Sequence, residues 1–134
     1  MKSKILNAHR KLSFVLAAAL ALLLSCSRVS TISFCEGTNA GDGSGVNCGT
    51  IFTPGELSAV FRLRGVKEDA RVEFVVYEVN GTAKQRLSTT PVDVKADNKY
   101  ASANLIFYNS GVYEVNALLG DKVIAVGTLE IRGE

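Results

Sequence analysis

The sequence predicts an all-β protein: an antiparallel β-sandwich behind a cleaved helical segment. Three observations carry that expectation. After residue 25, Val outnumbers Leu by 14 to 7, and β-branched side chains suit a pleated surface better than a helix. Apolar and polar residues alternate over several runs, none of which keeps a 3.6-residue period. Turn-forming residues separate the runs at short intervals, as about seven short strands in a sandwich require.

The first 25 residues stand apart from the rest. They hold four basic residues (Lys2, Lys4, Arg10, Lys11), no acidic residue and the single His of the chain, His9. Phe14 to Leu24 is an unbroken apolar run of 11 residues, too short for a hydrocarbon core that needs about 20. A basic start, a short apolar stretch and small residues after it describe an export signal at 1–25. The whole chain of 134 residues carries a formal charge of +2; without the signal, 11 basic and 13 acidic residues remain, a net −2. The basicity belongs to the part that is removed.

Leu23-Leu24-Ser25-Cys26 resembles the lipobox of bacterial lipoproteins, in which Leu, two small-to-medium residues and Cys close the apolar run. The resemblance implies cleavage before Cys26, a diacylglycerol on its sulfur and a third acyl chain on its new amine. Several buried acyl chains make a durable anchor where one is marginal. Ser27 follows the cysteine. In that family the absence of Asp there points to the outer membrane, so the expected location is the cell envelope, held to the membrane by lipid.

Setting Cys26 aside leaves Cys35 and Cys48, an even pair suited to a disulfide in an exported protein. The residues between them, Glu36 to Asn47, are rich in Gly and polar side chains. That stretch is expected to be an irregular loop, with 26–49 forming a tether and a disulfide-closed segment. A calcium loop is not expected, because Thr38, Ala40 and Gly49 stand where ligands belong.

From Thr50 the strands follow one another. Leu57, Ala59, Phe61 and Leu63 share one face, with Ser58, Arg62 and Arg64 on the other. Val72, Phe74 and Val76 repeat the alternation, as do Ala101, Ala103, Leu105 and Phe107, then Tyr113, Val115 and Ala117. Asn80-Gly81 suits a type I′ hairpin turn. Leu119-Gly120-Asp121-Lys122 marks another turn. The last strand switches parity near Gly127, from Ile124 and Val126 to Leu129 and Ile131, which suggests a bulge there.

Asn109-Ser110-Gly111-Val112-Tyr113-Glu114-Val115 resembles the Asp-x-Gly-x-Tyr-x-Cys segment opening strand F of immunoglobulin-like domains. Val72 to Tyr77 with Asn80-Gly81 is similar to strand C and its turn. The resemblance covers residues 50 to 132 and implies an immunoglobulin-like sandwich at 50–134. Tyr113 would then be the tyrosine of the corner, its hydroxyl bonded to backbone a few residues upstream. Val115 replaces the disulfide cysteine of that pattern and Val76 its core Trp. A small barrel is the structural alternative, though the longer strands and ligand-facing set of such barrels are missing.

Catalytic chemistry finds little to work with. With the signal gone there is no His for a triad or for a His-containing metal site. The carboxylates Glu68, Asp69, Asp93 and Asp97 sit in polar turns beside Lys, and Glu73 and Glu78 have opposite strand parity. No phosphate loop, dinucleotide fingerprint or nucleophile elbow occurs. Arg62, Arg64, Lys67 and Arg71 are too few for a nucleic-acid footprint on an acidic domain. No cofactor, metal, small-molecule substrate or enzymatic activity is expected.

The sequence points instead to binding. On the outward side of the strand from Val72, three of four residues are apolar or aromatic: Val75, Tyr77 and Val79, beside Glu73. They form the candidate face for a protein partner, unless a loop or the disulfide segment covers them. Tyr100 and Tyr108, flanking the strand 101–107, are secondary candidates. The function expected is a non-enzymatic interaction module anchored in the envelope. A structural subunit of an envelope assembly and an inhibitor of an enzyme are the alternatives.

Overall fold

Val72, Phe74 and Val76 alternate with Glu73 and Tyr77, and that period of two decides which side of the strand meets the core. The computed structural model describes residues 29–64 and 66–133. The export segment and Cys26 lie outside the described residues. Among these, ten strands and no helix occur: β1 (Ser30–Thr31), β2 (Ser33–Thr38), β3 (Gly45–Gly49), β4 (Ile51–Phe52), β5 (Gly55–Arg62), β6 (Ala70–Asn80), β7 (Ala83–Val94), β8 (Tyr100–Phe107), β9 (Gly111–Leu119) and β10 (Lys122–Ile131).

They form two sheets. One has the order β1-β10-β9-β6-β7, with β4 also on β10, and the other β3-β2-β5-β8. β1 and β4 run parallel to β10, and every other pairing is antiparallel. The inward residues of both sheets make one core, including Leu57, Ala59 and Phe61 from β5 and Val72, Phe74 and Val76 from β6. The rings of Phe61 and Phe74 meet across the two sheets at 5.7 Å, a spacing at which tilted aromatic pairs attract.

Residues 30–49 are more than tether and loop. Ile32 and Phe34 are core residues, and Cys35 and Cys48 stand directly opposite in a β2–β3 hairpin, joined as a disulfide with Cα atoms 3.9 Å apart. Of the Gly-rich stretch expected to be an irregular loop, only residues 39–44 form the hairpin tip, and the rest continues β2 and β3. There Asn39 accepts from the Gly41 amide at 2.8 Å, and the Asn39 amide donates to Ser44 O at 2.8 Å. Glycine also suits Gly45 inside β3, because a β-carbon there would collide with both sulfurs of the disulfide. A β-carbon on Gly43 would lie 3.7 Å from that of Tyr100. The tip therefore reaches back over β5 to the far edge of its own sheet.

Two turn details differ from expectation. Asn80 pairs with Ala83, so the β6–β7 loop is Gly81-Thr82. Gly81 has φ 62° and Thr82 has no positive φ, the pattern of a type II′ turn rather than I′. The β9–β10 loop repeats it with Gly120 at φ 62°. In β10 the register shift falls between Val123 and Ala125, not at Gly127. Ile124 is the extra residue and packs against the core, while Val126 faces outward. Gly127 is an inward position kept bare for its neighbours. A β-carbon there would stand 2.6 Å from Ile32 O and 2.9 Å from Phe34 Cε2.

Candidate functional site

The outward face of the first sheet is built by residues that register places side by side. Val75 lies between Thr89 of β7 and Asn116 of β9; Tyr77 lies between Arg86 and Glu114. Val79 lies between Lys84 and Val112, and that row continues through Glu130 to Ile51. The three residues singled out in the sequence thus share a face, but unequally. Val75, in the middle of the sheet, is only 3% exposed. Tyr77 and Val79 are half-buried. The disulfide hairpin belongs to the other sheet, so it does not cover Val75. Its flanking partners are Thr89 and Asn116.

What the face offers is concentrated at one end. Val112 is 43% exposed and adjoins Val79 and Tyr77 near the Gly81 turn, while Ile51, 50% exposed, lies beyond Glu130 in the same row. Charges lie beside Val79 and Val112. Lys84 Nζ lies 2.5 Å from Glu114 Oε2, and Arg132 Nε lies 2.9 Å from Glu130 Oε1, which raises the Arg132 pKa. Asn116 Oδ1 is buried beside Val75 and has no hydrogen-bond partner within the described residues. Val112 and Ile51 were missed in the sequence because neither sits in a run of outward apolar residues. Only strand pairing brings Val112 beside Val79 and sets Ile51 in the same row.

Tyr113 is placed at the inner end of the same sheets. Its hydroxyl donates to Asn109 O at 2.7 Å. Burial, reinforced by the charge of Glu78, raises its pKa above the ordinary tyrosine value.

Elsewhere the charged candidates are engaged locally, and Asp93, expected in a polar turn, stands in β7 directly opposite Arg71 of β6. Arg71 Nε lies 3.1 Å from Asp93 Oδ1 with both side chains well exposed, and Asp69 accepts from the Ala96 amide at 3.1 Å. In the hairpin tip, the hydroxyl and then the amide of Ser44 lower the pKa of Asp42, with Lys99 adding to the effect. Among the described residues no group of three or more His, Cys, Asp or Glu is arranged to hold a metal ion. No helix there is long and apolar enough to cross a membrane.

A second exposed apolar group lies on β8. Ile106 is 54% exposed and Tyr108, just past the strand end, 77%. Tyr100, at the other end, is half-buried. Ile106 carries no sequence signal of its own; the lack of any charge from Tyr100 to Phe107 is the signal that could have found it. The chain matches no protein-family model. It matches no curated protein.

Proposed function

We propose that this chain is a lipid-anchored protein of the cell envelope, held in the outer membrane, that works by binding another protein and catalyses no reaction. The observation that carries the binding role is the cluster Tyr77, Val79 and Val112, apolar side chains gathered on one sheet face with the Lys84–Glu114 and Glu130–Arg132 ion pairs beside it. An apolar centre with a charged rim is the general anatomy of a protein-binding patch. The sequence around Cys26 supports the anchor.

The sandwich is of the immunoglobulin-like kind in this reading. Its support is the strand order: β6 lies between β9 and β7, and β5 lies beside β8. Strands C, F, C′, B and E have those neighbours in that fold. The hydrogen bond from Tyr113 to Asn109 supports it as well.

The test is photo-crosslinking in cells from Val112 and from Tyr77. A discrete adduct with one other protein, lost in Val112→Asp, supports the binding role; no adduct from either site sinks it. Fatty-acid labelling of the wild type that persists in Cys26→Ala would sink the anchor.

A further inference from the structure

Five strands end the two sheets: β1, β4 and β7 in the first, β3 and β8 in the second. An edge strand offers unpaired N–H and C=O groups to any extended chain. Proteins blunt such edges with charge, proline, bulges or brevity. Four of the five are blunted here, β4 by its length of 2 residues. β1 has 2 residues. β3 has 5, begins and ends in Gly, and holds Asn47 at φ 53°. β7 carries Lys84, Arg86 and Pro91, with a register shift that leaves Leu87 unpaired.

β8 carries no charge, proline, bulge or shortening, and the hairpin tip reaches it only at its Tyr100 end. Tyr100-Ala101-Ser102-Ala103-Asn104-Leu105-Ile106-Phe107 contains no charge, proline or glycine and pairs without irregularity along β5. Among the described residues, no strand pairs with its other side. We propose that β8 is a self-pairing edge: two copies of this chain join β8 to β8, antiparallel, about a twofold axis at Ala103. Their second sheets then become one continuous sheet.

The register follows from parity. Residues directly opposite in an antiparallel pair share a face, and a slip of one residue would set buried against exposed positions. Ala101, Ala103, Leu105 and Phe107 are buried, whereas Asn104 and Ile106 are exposed. A twofold axis at Ala103 places Ile106 opposite Tyr100 of the second copy, and Asn104 opposite its Ser102. A β-branched side chain beside an aromatic one is a favourable cross-strand pair, and it covers the exposed Ile106.

Charge agrees with this register. Within one copy, Glu56 neighbours Ile106 and Arg62 neighbours Tyr100. Each outer row of the dimer therefore reads Glu56, Ile106, then Tyr100 and Arg62 of the second copy. The row ends in opposite charges, twice by symmetry. An axis at Asn104 would instead put Ile106 opposite Ser102 and give no such match. Because self-complementary patches close as twofold dimers, one contact completes the assembly. The face of the other sheet, with Tyr77 and Val112, plays no part in it, so this inference stands apart from the binding role proposed above.

The full chain purified in detergent is the material for the test. Sedimentation equilibrium is expected to show monomers and dimers. Ile106→Lys should weaken the dimer about thirtyfold, through two symmetric pair contacts. The lysine stands beside Glu56 within its own copy, so the melting temperature should hold, and Val112→Ser should dimerise like the wild type. A chain that is monomeric at every concentration reached, or an Ile106→Lys chain as dimeric as the wild type, overturns the proposal. Photo-crosslinking in cells from position 106 tests it without relying on the lysine variant. An adduct of twice the chain mass, linked near Tyr100, supports self-pairing, whereas a different chain in the adduct overturns it.

Discussion

The hydroxyl of Tyr113 donates to the carbonyl of Asn109, four residues upstream, at 2.7 Å, while the ring of Phe107 packs edge-on against it at 5.0 Å. One side chain thus ties the β8–β9 connection to the end of the core. Tyr113→Phe keeps the ring and removes the bond. A net hydrogen bond contributes about 0.5–1.5 kcal/mol, so the urea midpoint should fall by a corresponding amount with an unchanged slope. An unaltered midpoint would show the bond to be idle.

The same residue makes stability depend on alkaline pH. Burial raises its folded pKa above the ordinary value of 10.0, so the folded state holds a proton that the unfolded state gives up. The contribution is whole below pH 10.0 and shrinks as pH rises from there through the folded value. Wild-type stability should therefore decline more steeply than that of Tyr113→Phe in this range. Every other titratable group is common to both proteins, so the difference between the two curves isolates Tyr113. Parallel curves would refute the linkage.

Gly127→Ala should be costly for a single methyl group. The added carbon would meet backbone, Ile32 O at 2.6 Å, and Phe34 on the same side. Overpacking of this kind costs about 1–3 kcal/mol, which lowers the melting temperature by roughly 4–8 °C for each kcal/mol in a domain of this size. Gly37→Ala, with nothing within 4 Å of the new carbon, is the control and should melt close to the wild type.

Reducing the Cys35–Cys48 disulfide should destabilise the sandwich without dismantling it. The bridge spans 13 residues, and closing a loop of that order is worth about 3 kcal/mol in the chain-entropy model. Ile32 and Phe34 remain available to hold β2 in the core. The expected result is a lower melting temperature in reductant, with the far-ultraviolet strand signal kept at 25 °C. Loss of that signal on reduction would mean that the bridge is required for the fold itself.

The sandwich layers were legible because alternation is local. Leu57 to Phe61, Val72 to Val76, Ala101 to Phe107 and Tyr113 to Ala117 each state their inward face within a few residues, and those residues are buried. Ile32 and Phe34 were not legible. They are only two apolar positions, lying just ahead of a Gly-rich stretch, and their burial depends on β5 and β10, which come later in the chain. The bulge at Ile124 was misplaced by three residues because the partner strand β9 sets where the shift falls. At the candidate site the sequence shows that Val75 is apolar and outward. It cannot show that Thr89 and Asn116 flank it. Likewise the missing charge in β8 can be read directly, but its place at a sheet edge depends on strand order.

Ser30 pairs with Ala125 and lies 3.4 Å, through its hydroxyl, from Arg62 O, so the chain enters the sandwich at the Tyr100 end of β8. From Cys26 to Ser30 there are four Cα steps, about 14 Å when fully extended. A lipid on Cys26 would hold that end against the bilayer, with the Gly81 turn and the Val112 cluster pointing away. Two copies joined antiparallel at β8 have their anchored ends at opposite extremes, so both could not stand upright on one membrane. The pair would either lie flat along a single bilayer or span the gap between two facing ones, where strand pairing would act as adhesion.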